Sequence, residues 1–311
     1  MRVFVTGATG FVGSTLTNAV ADAGHDVRVL ERTAGASSKA GLKYHEAVQG
    51  DVTNPESMRR AVRDIDVVVH LVAIRQGTPE QFERVVVDGT RNVLAAAREA
   101  RVRRFILMSA LGVTEQTKDL VPYYNSKWTT EQDTKSSGLE YVIFRPSFIF
   151  GRRGGILPTF EMLAKLSPVT AIIGSGTQRI QPIAVGDVGA YFAAAIATPD
   201  AANRTFDLGG PEIVDWNEFW RRLRSALGIR LRPIVHVPTA LMRIPAAITE
   251  RLPGNIPLTR DLLTMLEAGD NVVSNDDAVR TFGLPLMPLD EQLGTNPSPG
   301  SRTATRAPRQ T

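Results

Sequence analysis

Apolar residues in the first 150 positions follow two alternating rhythms. Short, largely β-branched runs at 3–6, 27–30, 66–72, 104–109 and 141–144 read as strands buried on both faces, which have no polar side to show. Between them lie helical stretches: 14–23 closed by Gly24, one opening at Asn54-Pro55, and 81–100. Strands that trade places with helices need right-handed crossovers. The expected fold is therefore α/β, a doubly wound parallel sheet of the Rossmann type with ligands at the strands' carboxyl ends.

Beyond Pro146 the rhythm breaks. Residues 151–155 form a glycine-arginine loop and prolines become frequent. The expected organisation is a doubly wound α/β domain over 1–150, with 184–200 packing back onto it. A smaller, discontinuous substrate or partner region covers 151–293, and 294–311 is a tail. One helix is well marked, since Asp215 and Glu218 form a capping box ahead of Trp216, Phe219, Trp220, Leu223 and Leu227, and Gly228 ends it. The segment 238–252 combines Leu241, Met242, Ile244, Ala247 and Ile248 with Arg243 and Arg251, so it is either an interdomain packing helix, the favoured reading, or an interfacial membrane helix.

Charge narrows the choice of partner. The 311 residues hold 36 Lys+Arg against 32 Asp+Glu, but Arg302, Arg306 and Arg309 lie in a tail with no acid and no large apolar residue. Such a tail cannot offset its ordering entropy and is expected to be disordered. The remaining 33 basic and 32 acidic residues nearly cancel, which removes the global electrostatic case for nucleic acid. Arg101, Arg103 and Arg104, and Arg221, Arg222 and Arg224, are expected on solvated helix faces. The chain has no cysteine, so any redox chemistry needs a cofactor. It enters an apolar run at once, leaving no room for a signal peptide, and no run is long enough to span a bilayer. A cytoplasmic protein is expected, with the inner face of the membrane as an alternative station.

Candidate chemistry gathers at three places. Thr6-Gly7-Ala8-Thr9-Gly10-Phe11-Val12-Gly13 sits between the first strand and the first helix, where glycines permit a tight turn and the helix amino terminus faces a pyrophosphate. Eighteen residues after Gly13 stands Glu31-Arg32. Glu31 suits the free ribose hydroxyls of NAD(H), whereas Arg32, with Ser37, Ser38 and Lys39, suits the 2′-phosphate of NADP(H), the favoured cofactor. Tyr123 and Lys127 are four apart, on one face of a helix, a spacing at which an ammonium stabilises phenolate and makes the tyrosine an acid/base.

With Gly50-Asp51-Val52, His70-Leu71-Val72-Ala73, Tyr123-Tyr124-Asn125-Ser126-Lys127, Phe144-Arg145-Pro146-Ser147 and the later segments 181–188, 206–212, 270–273 and 282–283, the chain resembles the extended or atypical short-chain dehydrogenase/reductase superfamily, epimerase/dehydratase-like. Within it, the chain is most similar to the nucleotide-binding accessory subunit of respiratory complex I and its bacterial relatives. The resemblance implies that Gly7, Thr9, Gly10, Phe11, Val12, Gly13 and Arg32 hold the cofactor's phosphates. It further implies that Asp51 and Val52 meet the adenine, that Leu71, Val72, Ala73 and Pro146 flank the rest, and that Lys127 holds the nicotinamide ribose. Two departures stand out. Ala110 falls where active members place a hydroxyl beside the tyrosine, leaving Ser109 one position early and Thr114 at a distance, and Val86 replaces a common asparagine three residues before Gly89. Two functions follow: hydride transfer to or from a carbonyl or alcohol of unknown identity, with Tyr123 as acid/base, or a weakly active or inactive nucleotide-binding protein serving a respiratory or quinone-related membrane complex. Arg152, Arg153 and Arg179 are candidate contacts for an acidic substrate.

Overall fold

The computed structural model describes residues 1–152, 154–250 and 258–294. Arg153, Arg251 and the tail from residue 295 on lie outside the described residues. The first half supplies β1 (Arg2–Thr6), α1 (Phe11–Asp22), β2 (Asp26–Glu31), α2 (Ala36–Lys39), β3 (Glu46–Gln49), α3 (Pro55–Ala61) and β4 (Val67–His70). After these come α4 (Pro79–Phe82), α5 (Asp88–Glu99), β5 (Arg104–Met108), α6 (Pro122–Lys135) and β6 (Glu140–Pro146). The rest comprises β7 (Ile149–Gly151), β8 (Gly154–Gly155), α7 (Leu157–Leu166), β9 (Thr170–Ile173), β10 (Arg179–Ile180), β11 (Ile183–Ala184), α8 (Val185–Ala195) and β12 (Arg204–Leu208). Last are β13 (Val214–Asp215), α9 (Trp216–Ala226), β14 (Ile234–Val237), α10 (Thr239–Thr249), α11 (Arg260–Glu267), α12 (Asp276–Phe282) and α13 (Leu289–Leu293).

Seven strands in the order β3-β2-β1-β4-β5-β6-β12 make one parallel sheet. The predicted α/β class and doubly wound sheet are thus what the chain forms. Strand alternation sends Val3 and Val5 into the core under α1 and α8 and Phe4 into the core under α3 and α5, so both faces are covered. The chain returns to this sheet twice after β6, through α8, which packs on α1, and through β12 at the edge. The strand order reverses between β1 and β4, the point where open sheets of this kind place their ligand.

Three local expectations need correction. The helix expected over 81–100 begins at Pro79, where Thr78 and Gln81 form a capping box, and passes through a π-helical turn, Glu83–Val87, before α5. The β-branched run Val85-Val86-Val87 crowds an α-turn, and a wider turn of this kind escapes a 3.6-residue reading. Neither arginine cluster is wholly solvated. Arg104 is 1% exposed and reaches the carbonyls of Ala195 and Thr198 and the Glu140 carboxylate; Arg224, equally buried, donates to Thr170 Oγ1 and the Ala164 and Val169 carbonyls. Finally, α10 buries only Ala246 fully, while Leu241, Ile244 and Ile248 face outward. The favoured packing reading of 238–252 therefore fails for these three side chains, while Met242 is half-buried and residues 251 and 252 lie outside the described ones.

The ion pair between Arg145 and the fully buried Glu131, two bonds of 2.7 and 2.6 Å, ties β6 to α6. Arg145→Met leaves Glu131 with Lys135 alone, at 3.5 Å. The expected loss is about 3 kcal/mol of unfolding free energy in a urea titration, because a stranded buried charge costs more than the pair contributes.

Candidate dinucleotide and catalytic site

The loop from β1 to α1 is shaped by backbone sterics. Gly7 has φ +75°, and a Cβ on Gly13 would lie 2.0 Å from the Gly7 carbonyl oxygen, so the first turn of α1 sits directly on the turn below it. Gly10 is the N-cap of α1, with no side-chain cap and no acid in the first turn. By contrast, Asn54, Thr78, Asp215 and Thr259 cap α3, α4, α9 and α11 with side-chain oxygens. The first amides of α1 have no side-chain partner, as at α6, α7 and α8; what sets α1 apart is the glycine turn on which it sits. Thr9 and Gly10 are exposed on this loop, Phe11 is half-buried, and Val12 anchors it in the core.

The carboxyl ends of the neighbouring strands collect the other predicted cofactor residues. Glu31 accepts hydrogen bonds from the Gly35 and Ser37 amides at 2.8 and 3.0 Å, which hold its carboxyl below the usual range. It thus organises the loop 33–37 instead of presenting a free carboxylate. Arg32 is exposed and forms no ion pair among the described residues; Ser38 and Lys39 are exposed nearby, while Ser37 is buried. Burial pushes the Asp51 carboxyl up, but bonds from the Thr53 amide and hydroxyl and the charges of Arg32 and Arg84 outweigh it, so the net shift is downward. Val52 and Leu71 are buried, Val72 and Ala73 half-buried, and Pro146 closes the end of β6.

At the catalytic pair the structure differs from the simple picture. Lys127 is 2% exposed and donates to the Met108 carbonyl, at the end of β5, at 2.7 Å. Burial lowers its pKa to about 8 despite the Glu131 charge. Tyr123 is pushed up to about 12 by burial and by Tyr124, with only Arg75 pulling the other way. The expected depression of the phenol by Lys127 is absent because the ammonium is turned to the strand end. The Tyr123 ring packs on Phe82 and Tyr124, and Ala110 lies in the same cluster. Ser109 is buried and its hydroxyl has no partner among the described residues; Thr114 bonds Thr117 instead.

The sequence places His70 within the strand run 66–72 and in the segment His70-Leu71-Val72-Ala73, with no role of its own. It is buried between Thr6 Oγ1 (2.7 Å) and Thr90 Oγ1 (3.0 Å), joining β1, β4 and α5 at the reversal of the strand order. Burial, helped by the Lys127 charge, lowers it to about 3, so it stays a neutral strut. Also missed was the role of the 151–155 segment, which is a hairpin: Cβ atoms on Gly151, Gly154 and Gly155 would each meet the Phe11 ring within 3 Å. The glycines let this hairpin lie on the start of α1. Arg152 reaches the Leu293 carbonyl, and Arg179 is held by Asp270 at 2.7 Å, so the latter is already neutralised. A cavity of about 190 Å³ opens beside Tyr124, lined among others by Thr114, Phe148, Leu262, Met265 and Leu266. Its apolar wall comes from α11, and no sequence period links that helix to the site.

A parallel sheet whose order reverses between β1 and β4, with a glycine turn at the reversal, is a Rossmann-type fold. More particularly, the chain belongs to the NAD dependent epimerase/dehydratase family, whose model matches residues 3–209. A ceramide reductase of Caulobacter vibrioides is 33% identical over 240 residues, 75% of this chain and 72% of its own. The rat protein NADH dehydrogenase [ubiquinone] 1 alpha subcomplex subunit 9, mitochondrial, is 28% identical over 299 residues, 92% of this chain and 77% of its own. An NADPH-dependent quinone oxidoreductase from Escherichia coli, solved with NADPH, shares the fold at TM-score 0.76 and 16% identity, covering 94% of this chain and 98% of its own. Among the described residues no helix is long and apolar enough to cross a membrane, and no cluster of His, Cys, Asp or Glu has the makings of a metal site.

Proposed function

We propose that the protein is an NADP(H)-dependent reductase of an apolar ketone. The observation that carries this reading is the face of α6 that bears Tyr123 and Lys127 at the carboxyl end of β5, in the same sheet whose β1 leads into the glycine turn. When bound, the cofactor supplies the hydride; the chain's own part is to bind, orient and provide one proton. Gly7, Thr9, Gly10, Phe11, Val12 and Gly13 hold the pyrophosphate. Arg32 takes the 2′-phosphate, Asp51 and Val52 take the adenine, and Leu71, Val72, Ala73 and Pro146 wall the site. Lys127 fixes the nicotinamide ribose, and Tyr123 gives its hydroxyl proton to the carbonyl oxygen as the alcohol forms. The apolar cavity beside Tyr124 and the ceramide reductase relative support an apolar substrate.

A phenol held near 12 is protonated at neutral pH, ready to donate but not to accept. Ketone reduction therefore stays flat or falls between about pH 7 and 10, whereas alcohol oxidation climbs over the same range. Initial rates in both directions check this; oxidation that fails to rise with pH contradicts Tyr123 as the base. Arg32→Glu is expected to weaken NADPH binding about 10–100-fold relative to NADH, the value of one charge-assisted phosphate contact. Calorimetry with both nucleotides reads it, and an unchanged ratio removes Arg32 from the phosphate site.

Ala110, the raised phenol and the respiratory subunit relative favour a second reading: a protein that holds its nucleotide for a structural or sensing role in a membrane complex, at the inner face of the membrane. Native mass spectrometry for bound dinucleotide, followed by NADPH oxidation over a panel of apolar ketones, separates the two. Turnover with release of NADP+ supports the reductase. Retained nucleotide with no turnover supports the second reading.

A further inference from the structure

The reductase reading leaves unused the segment from 229 to 250. Its helix α10 is amphipathic in the wrong sense for a soluble protein. It turns Ala246 inward and shows solvent a stripe of Leu241, Ile244 and Ile248, spaced one and two turns apart, with Leu241 65% and Ile244 72% exposed. The stripe does not stand alone. The chain running into α10 is exposed as well, at Leu231 and at Ile234 and Val235 of β14. Arg232 donates to the Ser167 carbonyl and so binds this strip to the end of α7, where Leu166 is also exposed. Isolated apolar side chains on a surface need no explanation; a strip running along a loop, a strand and the helix that follows does.

Charge identifies what covers it. From 229 to 249 the chain carries Arg230, Arg232, Arg243 and His236 and not one acidic residue. Arg243 is paired with Glu267 and Glu250 with Arg260, and Asp261 lies at the start of α11, so the charge free to meet a partner is that of Arg230 and Arg232, which form no ion pair among the described residues. An apolar stripe whose flanking carboxylates are paired and whose leading strip carries the unpaired Arg230 and Arg232 matches a lipid interface with anionic headgroups, since arginine stems lie along the acyl boundary and guanidinium groups meet phosphate. A second copy of the chain would set the same arginines against each other.

We propose that α10 and the strip before it form a docking face for an anionic membrane surface. Seated this way, α10 lies in the interface with α11 packed behind it, and α11 presents Leu262, Met265 and Leu266 to the cavity beside Tyr124. The face thus brings the apolar cavity next to the lipid phase. Membrane binding itself does not depend on turnover, so it stands or falls apart from the reductase reading.

The experiment is co-sedimentation of the full-length protein with vesicles of phosphatidylglycerol and phosphatidylcholine, compared with phosphatidylcholine alone. Binding is expected to the anionic vesicles, to weaken with salt, and to fall at least about tenfold in the double variant Leu241→Asp, Ile244→Asp. These side chains are exposed, so the variant should keep its melting temperature and its affinity for NADPH. Arg230→Glu should weaken binding to anionic vesicles alone. Three results overturn the proposal: no preference of the native protein for anionic vesicles; undiminished binding by the double variant, which would assign the effect to the arginine tail; or a concentration-dependent dimer in solution that the double variant abolishes.

Discussion

Tyr123→Phe is expected to lower kcat for ketone reduction by about 10²–10⁴-fold while leaving NADPH affinity and melting temperature close to those of the native protein. The size follows from the scarcity of other donors. Ala110 supplies no hydroxyl beside the phenol, the Ser109 hydroxyl is buried with no partner, and Thr114 is engaged with Thr117. The ring's own contacts, with Phe82 and Tyr124, survive in phenylalanine. A loss smaller than about tenfold would show that the proton comes from elsewhere. Lys127→Met separates the two halves of the pair. It should reduce turnover and weaken dinucleotide binding together, yet leave stability unchanged or raised, because the native ammonium is buried at a cost its bond to Met108 only partly offsets. The lowered lysine pKa also fixes a sign. Between about 8 in the folded protein and the ordinary 10.5, the unfolded chain holds the extra proton, so native stability rises with pH across that window. Melting temperatures of Lys127→Met should lack this slope.

The sheet was legible because buried parallel strands are written as uninterrupted apolar runs, and each such run became a strand within two or three residues at either end. The glycine turn was legible for a different reason: positive φ at Gly7 and the contact at Gly13 admit no other residue without strain. What stayed hidden depends on three-dimensional neighbours. Glu31 and Arg32 stand side by side in sequence, but only the fold of 33–37 decides that the acid is spent on the Gly35 and Ser37 amides. Arg104 and Arg224 read as surface charges until the carbonyls that end neighbouring helices and turns surround them. His70 fell inside a strand pattern, and nothing in that pattern marks the two threonines, 64 and 20 residues away, that hold it. The cavity wall on α11 is remote in the same way. Local periodicity reports which face is buried, not what it is buried against.

Gly13→Ala is expected to abolish measurable dinucleotide binding, a loss of more than about 100-fold, and to destabilise the fold by about 1–3 kcal/mol. The added methyl group would sit 2.0 Å from the Gly7 carbonyl oxygen and 2.9 Å from the Ala8 Cα and carbonyl oxygen. All three are backbone atoms, so no rotamer change relieves the overlap, and α1 must withdraw from β1. Withdrawal misplaces the free first-turn amides, the groups proposed to hold the pyrophosphate. A graded series makes the argument quantitative. At Gly10 the methyl group would lie 3.2 Å from the same oxygen, a contact a small shift absorbs, so Gly10→Ala should weaken binding by less than Gly13→Ala. At Gly186, in the first turn of α8, it meets nothing within 4 Å, and Gly186→Ala should bind NADPH normally and gain up to about 1 kcal/mol through its smaller unfolded-state entropy. Calorimetric NADPH titration and urea unfolding of the three variants measure both quantities. Equal binding by Gly13→Ala and Gly186→Ala would mean that the turn after β1 is not the pyrophosphate site, and the dinucleotide reading of the sheet's reversal point would have to be given up with it.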